Sequence, residues 1–182
     1  MQRFWFLVFF GMICLAGCGT YYDPVDSYVR GLRWFDRGDY ATAAEIWKPM
    51  AEVGDCDAQY RYGHLLWLGL GVKMDKQAAR SLWERAANGG QAKAQMAMGN
   101  LALDAPYNVY LCREGCTPDA AEAYKWYLLA GKSAHYPGER EELSLSLADI
   151  KGRLSPAQAS EGERLAAAWT PSPKACNPRN LL

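Results

Sequence analysis

Apolar residues recur at helical spacing along most of the chain, with turn signals at regular intervals. Residues 57–90 show this most clearly: two helical stretches flank Gly69-Leu70-Gly71, and the second carries Ala79, Leu82, Trp83 and Ala86 on one stripe behind a capping Asp75. Gly89-Gly90 closes it. Upstream, Asp23-Pro24 starts a helix whose apolar face runs through Val25, Tyr28, Val29, Leu32 and Phe35. Asp39 caps its partner, with Ala43, Ala44, Trp47 and Met50 in line and a late Pro49 expected to kink it. Downstream, Thr117-Pro118 restarts a helix bearing Ala123, Tyr124, Tyr127 and Ala130. Two further helices follow, one striped by Leu143, Leu147, Ile150 and Leu154. The other opens on the capping box Ser155-Pro156-Ala157-Gln158 and turns Leu165, Ala168 and Trp169 inward.

The stripes repeat. Trp47 and Trp83 are 36 residues apart, as are Ala51 and Ala87, Gly54 and Gly90, Gly63 and Gly99; Ala58-Gln59 returns as Ala94-Gln95. A fixed period of this length is the mark of a helical solenoid. Ala58-Gln59-Tyr60, Gly63, Leu65, Gly69-Leu70-Gly71-Val72, Asp75, Ala79, Trp83 and Ala86-Ala87 resemble the Sel1-like repeat, a relative of the tetratricopeptide repeat. The resemblance implies an all-α solenoid of about three helix pairs with a C-terminal helical cap, and it is specific for fold rather than activity. From helix glycine to ring the distance is 16 residues (Gly31 to Trp47), 20 (Gly63 to Trp83) and 28 (Gly99 to Tyr127), so the connecting turn varies and residues 105–116 form an insertion. The expected organisation is a signal segment over 1–17, the solenoid over 18–132, capping helices over 133–169 and a Pro-rich tail over 170–182.

The amino terminus adds an address. Arg3, the apolar run from Phe4 to Leu15 and the small Ala16-Gly17 have the layout of a secretory signal. Leu15-Ala16-Gly17-Cys18 resembles the lipobox of bacterial lipoproteins, which implies acylation of Cys18 with palmitate. Gly19 stands where an Asp would imply inner-membrane retention, so the resemblance implies the outer membrane. The alternatives are an ordinary signal peptide and a short anchor, the latter disfavoured because a spanning helix needs ~20 apolar residues.

Composition narrows the partner. Half of the 182 residues are apolar and the formal net charge is zero, so a nucleic-acid partner held by phosphate neutralisation is not expected. Seven Trp and eleven Tyr are many for this length. Trp47, Trp83 and Tyr127 stand at repeat positions and are expected in the core. Trp67 and Leu68 stand where the resembled pattern tolerates anything, on the helix type that lines the concave face. With Arg61 and His64 they form a candidate partner-binding strip, and Tyr107, Tyr110 and Leu111 in the insertion form a second.

Besides Cys18, the mature chain holds Cys56, Cys112, Cys116 and Cys176, an even number for an oxidising compartment, which allows three pairings. The short spacing favours Cys112 with Cys116, leaving Cys56 to pin the tail through Cys176. No metal site is expected, since Cys-x-x-x-Cys and two scattered His are a poor ligand set. No Gly-x-Ser-x-Gly or Ser-x-x-Lys motif occurs, and Gly131-Lys132-Ser133 has Trp126 where a phosphate loop needs its first Gly. The expectation is a non-enzymatic, cofactor-free interaction scaffold, tethered by lipid to the outer membrane and facing the periplasm, with an envelope protein as partner. The alternative, implied by cysteine-rich relatives, is a protein that binds or acts on peptidoglycan or β-lactams.

Overall fold

The computed structural model describes residues 24–103, 119–135, 137–172 and 176. Among them are eight helices: α1 (Pro24–Asp36), α2 (Tyr40–Glu52), α3 (Cys56–Leu68), α4 (Lys76–Asn88), α5 (Ala92–Leu103), α6 (Ala120–Ser133), α7 (Pro137–Arg153) and α8 (Pro156–Ala168). Described residues include no strand. The helices pair in sequence as α1/α2, α3/α4 and α5/α6, and successive pairs join through α2 on α3 and α4 on α5. Both α7 and α8 then pack on α6, closing the array.

Caps set the helix starts. The side chains of Asp39, Asp55, Asp75 and Asp119 each accept a backbone N–H three residues on, at the entrances of α2, α3, α4 and α6. The third pair is therefore capped by Asp119, two residues beyond the expected Thr117, which lies outside the described residues, as does Asp23. Pro49 sits in the last turn of α2 and the helix continues through it to Glu52. The capping box at Ser155 and Gln158 is formed in both directions. In the α3–α4 turn Gly71 has φ +66°, and a Cβ there would stand 2.3 Å from the Ala41 nitrogen, so only glycine lets this turn rest on the start of α2.

Each pair is locked by one device. A small residue on the first helix admits a ring from the second: a Cβ on Gly31 would lie 2.3 Å from Trp47, on Gly63 2.7 Å from Trp83, and on Gly99 2.6 Å from Tyr127. The admitted indole then donates to a carbonyl of the first helix, Trp47 Nε1 to Tyr28 at 3.4 Å and Trp83 Nε1 to Tyr60 at 3.0 Å. Burial and a satisfied N–H thus come together, and burying such a ring contributes roughly 3 kcal/mol. Tyr127 has no indole; its hydroxyl bonds the Asn100 side chain instead.

Adjacent pairs are stitched by a second device. Gln59 Nε2 donates to Ala51 O at 3.1 Å, and Gln95 Nε2 to Ala87 O at 3.2 Å. Both acceptors lie in the last turn of a helix, where carbonyls lack an intrahelical donor. The core follows these joints in three clusters, centred on Trp47 with Leu65, on Trp83 with Trp126, and on Tyr124 with Leu143. Leu143 and Ile150 of α7 are buried with Leu147 and Leu154 packed beside them, as the stripe predicts. On α8 the buried residues are Gly162 and Ala166; Leu165 and Trp169 are half-buried and Ala168 is exposed, so the inner face is rotated from the expected one. The rotation has a steric cause: a Cβ on Gly162 would meet Tyr124 at 2.8 Å and Ala121 O at 2.9 Å, so α8 presents its glycine to α6.

The chain then turns back. Ser172 N donates to Asn88 O at 2.8 Å at the end of α4, and Cys176 forms a disulfide with Cys56 at the start of α3, across 120 residues of sequence. Gly89 leaves the room: a Cβ there would stand 2.1 Å from Cys176 Sγ and 3.0 Å from Cys56 Sγ. Cys18, Cys112 and Cys116 lie outside the described residues.

Candidate partner-binding surface

The first helices of the first two pairs, α1 and α3, lie close enough to share side-chain contacts. Tyr28 and Phe35 on α1 meet Arg61 and His64 on α3. Arg61 Nε donates to the Tyr28 hydroxyl at 3.3 Å, and the guanidinium carbon lies 5.8 Å from the centroids of Phe35 and Tyr60 and 6.0 Å from that of Trp47. His64, half-buried one turn on, has its ring 6.2 Å from Phe35 and 6.5 Å from Tyr60. Burial first, and the positive charge of Arg61 second, lower its pKa below the ordinary 6.5. At neutral pH this patch therefore carries one cation, set among rings.

Of the four strip residues, Arg61 and His64 come together, and Leu68 is 51% exposed one turn beyond His64. Trp67 departs from expectation. Its ring lies 5.1 Å from Trp83 at 37°, inside the cluster that joins the second and third pairs, with Lys76 Nζ 5.1 Å from its centroid. The indole is half-buried and has an architectural partner, which the sequence reading did not supply. Aligning Gly31 with Gly63 would have found it: that shift places Phe35 on Trp67, and Phe35 packs against Trp47 at 5.8 Å as Trp67 packs against Trp83. The same alignment places Tyr28 on Tyr60 and so brings out the other half of the Arg61 cage. Tyr107, Tyr110 and Leu111 lie outside the described residues.

A second feature was missed. Tyr62, Leu66, Val72 and Met74 line an open recess of about 860 Å³ beside the α3–α4 turn, edged by Lys73, Lys76 and Gln77. Among the described residues no group of His, Cys, Asp or Glu gathers closely enough to hold a metal ion, and no helix is long and apolar enough to cross a membrane.

The glycine–ring and glutamine–carbonyl ladders fix the length and content of one repeating unit, and that unit can be compared with known ones. The Sel1 repeat family matches residues 56–91 and 92–135. Residues 56–135 carry two Sel1 repeats. The α1/α2 pair, which stands outside both matched segments, forms the same glycine–tryptophan lock as the α3/α4 repeat. Among solved structures the chain is similar to c5321, described as a protective antigen present in uropathogenic Escherichia coli strains displaying an SLR fold. The similarity has a TM-score of 0.65 at 23% identity over 84% of this chain and 31% of that one. The chain thus spans about a third of that protein's length, and at this identity the likeness is one of fold. No curated protein matches the chain by sequence. Sel1 repeats form a protein-interaction scaffold and are typically non-catalytic.

Proposed function

We propose that this Sel1-repeat protein is a non-enzymatic adaptor of the bacterial envelope, which captures a protein partner on the surface formed by α1 and α3. The observation that carries the reading is the Arg61 cluster: a cation held among Phe35, Tyr60 and Trp47, beside the exposed Leu68. Aromatic and Arg side chains concentrate the energy of protein interfaces, and this group is assembled before any partner arrives. The Cys56–Cys176 bond supports an oxidising compartment such as the periplasm. Leu15-Ala16-Gly17-Cys18 supports tethering through an acylated Cys18, with the outer membrane as the anchor.

A photo-crosslinking residue placed at Leu68 in living cells should trap a distinct envelope protein, while the same residue at Arg80, exposed on α4, should not. Adducts from Arg80 alone would move the binding surface to the second-helix side. In the same cells, palmitate labelling should vanish on Cys18→Ser; labelling that persists would overturn the tether.

A further inference from the structure

Arg61 is half-buried among rings and stands in no ion pair with a described residue. Two exposed arginines pair with a carboxylate on their own helix, Arg153 with Asp149 at 2.8 Å and Arg164 with Glu161 at 2.6 Å. Arg61 is half-buried, where a charge is costlier to leave alone, yet no carboxylate of the described residues pairs with it. Asp57, one turn before it, is placed to do so by helical spacing. Its carboxylate instead accepts from Gln91 Nε2 at 3.2 Å, across to the next repeat. The rings of Phe35, Tyr60 and Trp47 take the guanidinium's faces, which suits a weakly hydrated planar cation, and the Tyr28 hydroxyl accepts from Nε. Of the five N–H donors of an arginine, that bond uses one. The four on Nη1 and Nη2 have no protein acceptor among the described residues, and one N–H from each nitrogen suffices for the two parallel bonds with which an arginine holds a carboxylate.

We propose that Arg61 is a preorganised receptor for one carboxylate, the side chain of an Asp or Glu in a protein segment laid across α1 and α3. The proposal rests on the protein-binding reading of this surface and names the chemistry of its partner. Charge decides the class. One cation in an aromatic setting matches a monoanion with apolar neighbours, which Phe35, Tyr60 and Leu68 can cover. A phosphate dianion or a nucleic-acid backbone calls for several cations, and the chain has no net positive charge to offer.

The test uses the full chain in detergent micelles with arginine-selective 15N labelling, the Arg61 side-chain signal being assigned by its loss in Arg61→Lys. Four probes are titrated: acetyl-Phe-Glu-Leu-amide, acetyl-Phe-Gln-Leu-amide, acetyl-Phe-Gln-Leu as the free acid, and phenyl phosphate. The glutamate peptide should shift the Arg61 Nε–H signal saturably, with an affinity at least tenfold above that of the glutamine amide, and Arg61→Lys should lose most of that preference at an unchanged fold. Equal response to the glutamate and glutamine amides, or none to either, would overturn the proposal and leave Arg61 a packing residue. A stronger response to the free acid would give the site to a chain terminus, and one to phenyl phosphate would give it to a phosphoryl group; either result overturns the side-chain assignment. If Arg61→Lys unfolds, Arg61→Gln supplies the assignment, and the wild-type comparison of the two amides decides. Partner trapping from Leu68 is read independently, so loss of this receptor and loss of the binding surface are separate results.

Discussion

Trp67 and Trp83 show how two identical side chains on neighbouring helices divide a task. Trp83 fills the space left by Gly63 and bonds Tyr60 O, while Trp67 covers its flank at 5.1 Å. Removing the covering ring exposes the one beneath. Trp67→Ala should therefore lower stability by about 2–3 kcal/mol, less than a fully buried ring because Trp67 keeps some solvent contact. A thermal midpoint equal to wild type would return Trp67 to the surface. The glycine–ring register was legible because Gly63 and Gly99, and likewise Trp47 and Trp83, stand 36 residues apart; the Trp67 contact was not, since the first turn is four residues shorter and hides Phe35 at the equivalent place. His64 makes a second residue-scale prediction. Its folded pKa is lowered, so the unfolded chain binds the proton more readily and folding favours the neutral ring. The stability this contributes is complete above the unfolded pKa of 6.5 and is lost as pH falls through that value toward the lower folded one. Melts between pH 5 and 7.5 should fall more steeply toward acid for wild type than for His64→Gln. Parallel curves would mean that the ring titrates as in water.

Among elements, the tail behaves least as composition suggests. Three prolines and no helical period mark it as a tail, expected to be held only through Cys176, and no helix is described beyond Ala168. What fixes it lies 80 residues and more upstream: Asn88 O, the bare Gly89 and Cys56. Four cysteines allow three pairings, and the short spacing of Cys112 and Cys116 left Cys56 for Cys176, the bond the fold makes; Cys112 and Cys116 lie outside the described residues. Gly89→Ala should place a methyl where Cys176 Sγ sits, and mass spectrometry of the non-reduced protein should then find Cys56 and Cys176 as free thiols or in other pairings. An intact Cys56–Cys176 link in that variant would show that the tail can take another path. Replacing Cys176 by Ser removes a closed loop of about 120 residues, for which the chain-entropy model allows at most about 5 kcal/mol. The α7 and α8 stripes were legible in part. Leu143 and Ile150 obey helical period, but the face of α8 is chosen by the close approach of Gly162 to Tyr124, a tertiary fit that periodicity cannot rank.

At the scale of the whole molecule a solenoid is a stack in which each unit leans only on its neighbours. The number of pairs, their order and the small-to-large lock inside each could be read from the chain, because one sequence period encodes one spatial step. The candidate partner surface could be read only as a direction, since Arg61 draws most of its cage from other helices, Tyr28 and Phe35 on α1 and Trp47 on α2, with Tyr60 alone from its own. The bond between Cys56 and Cys176 changes the mechanics of that stack. Force applied to the carboxyl terminus is delivered to Cys56 at the head of the second repeat, and α3 through α8 lie off the load path, slack within a closed ring. A single molecule stretched by its ends should yield only the first pair and the short terminal segments while oxidised. The 120 residues inside the ring, roughly 400 Å of contour at ~3.5 Å per residue, should appear as extra extension only after reductant is added.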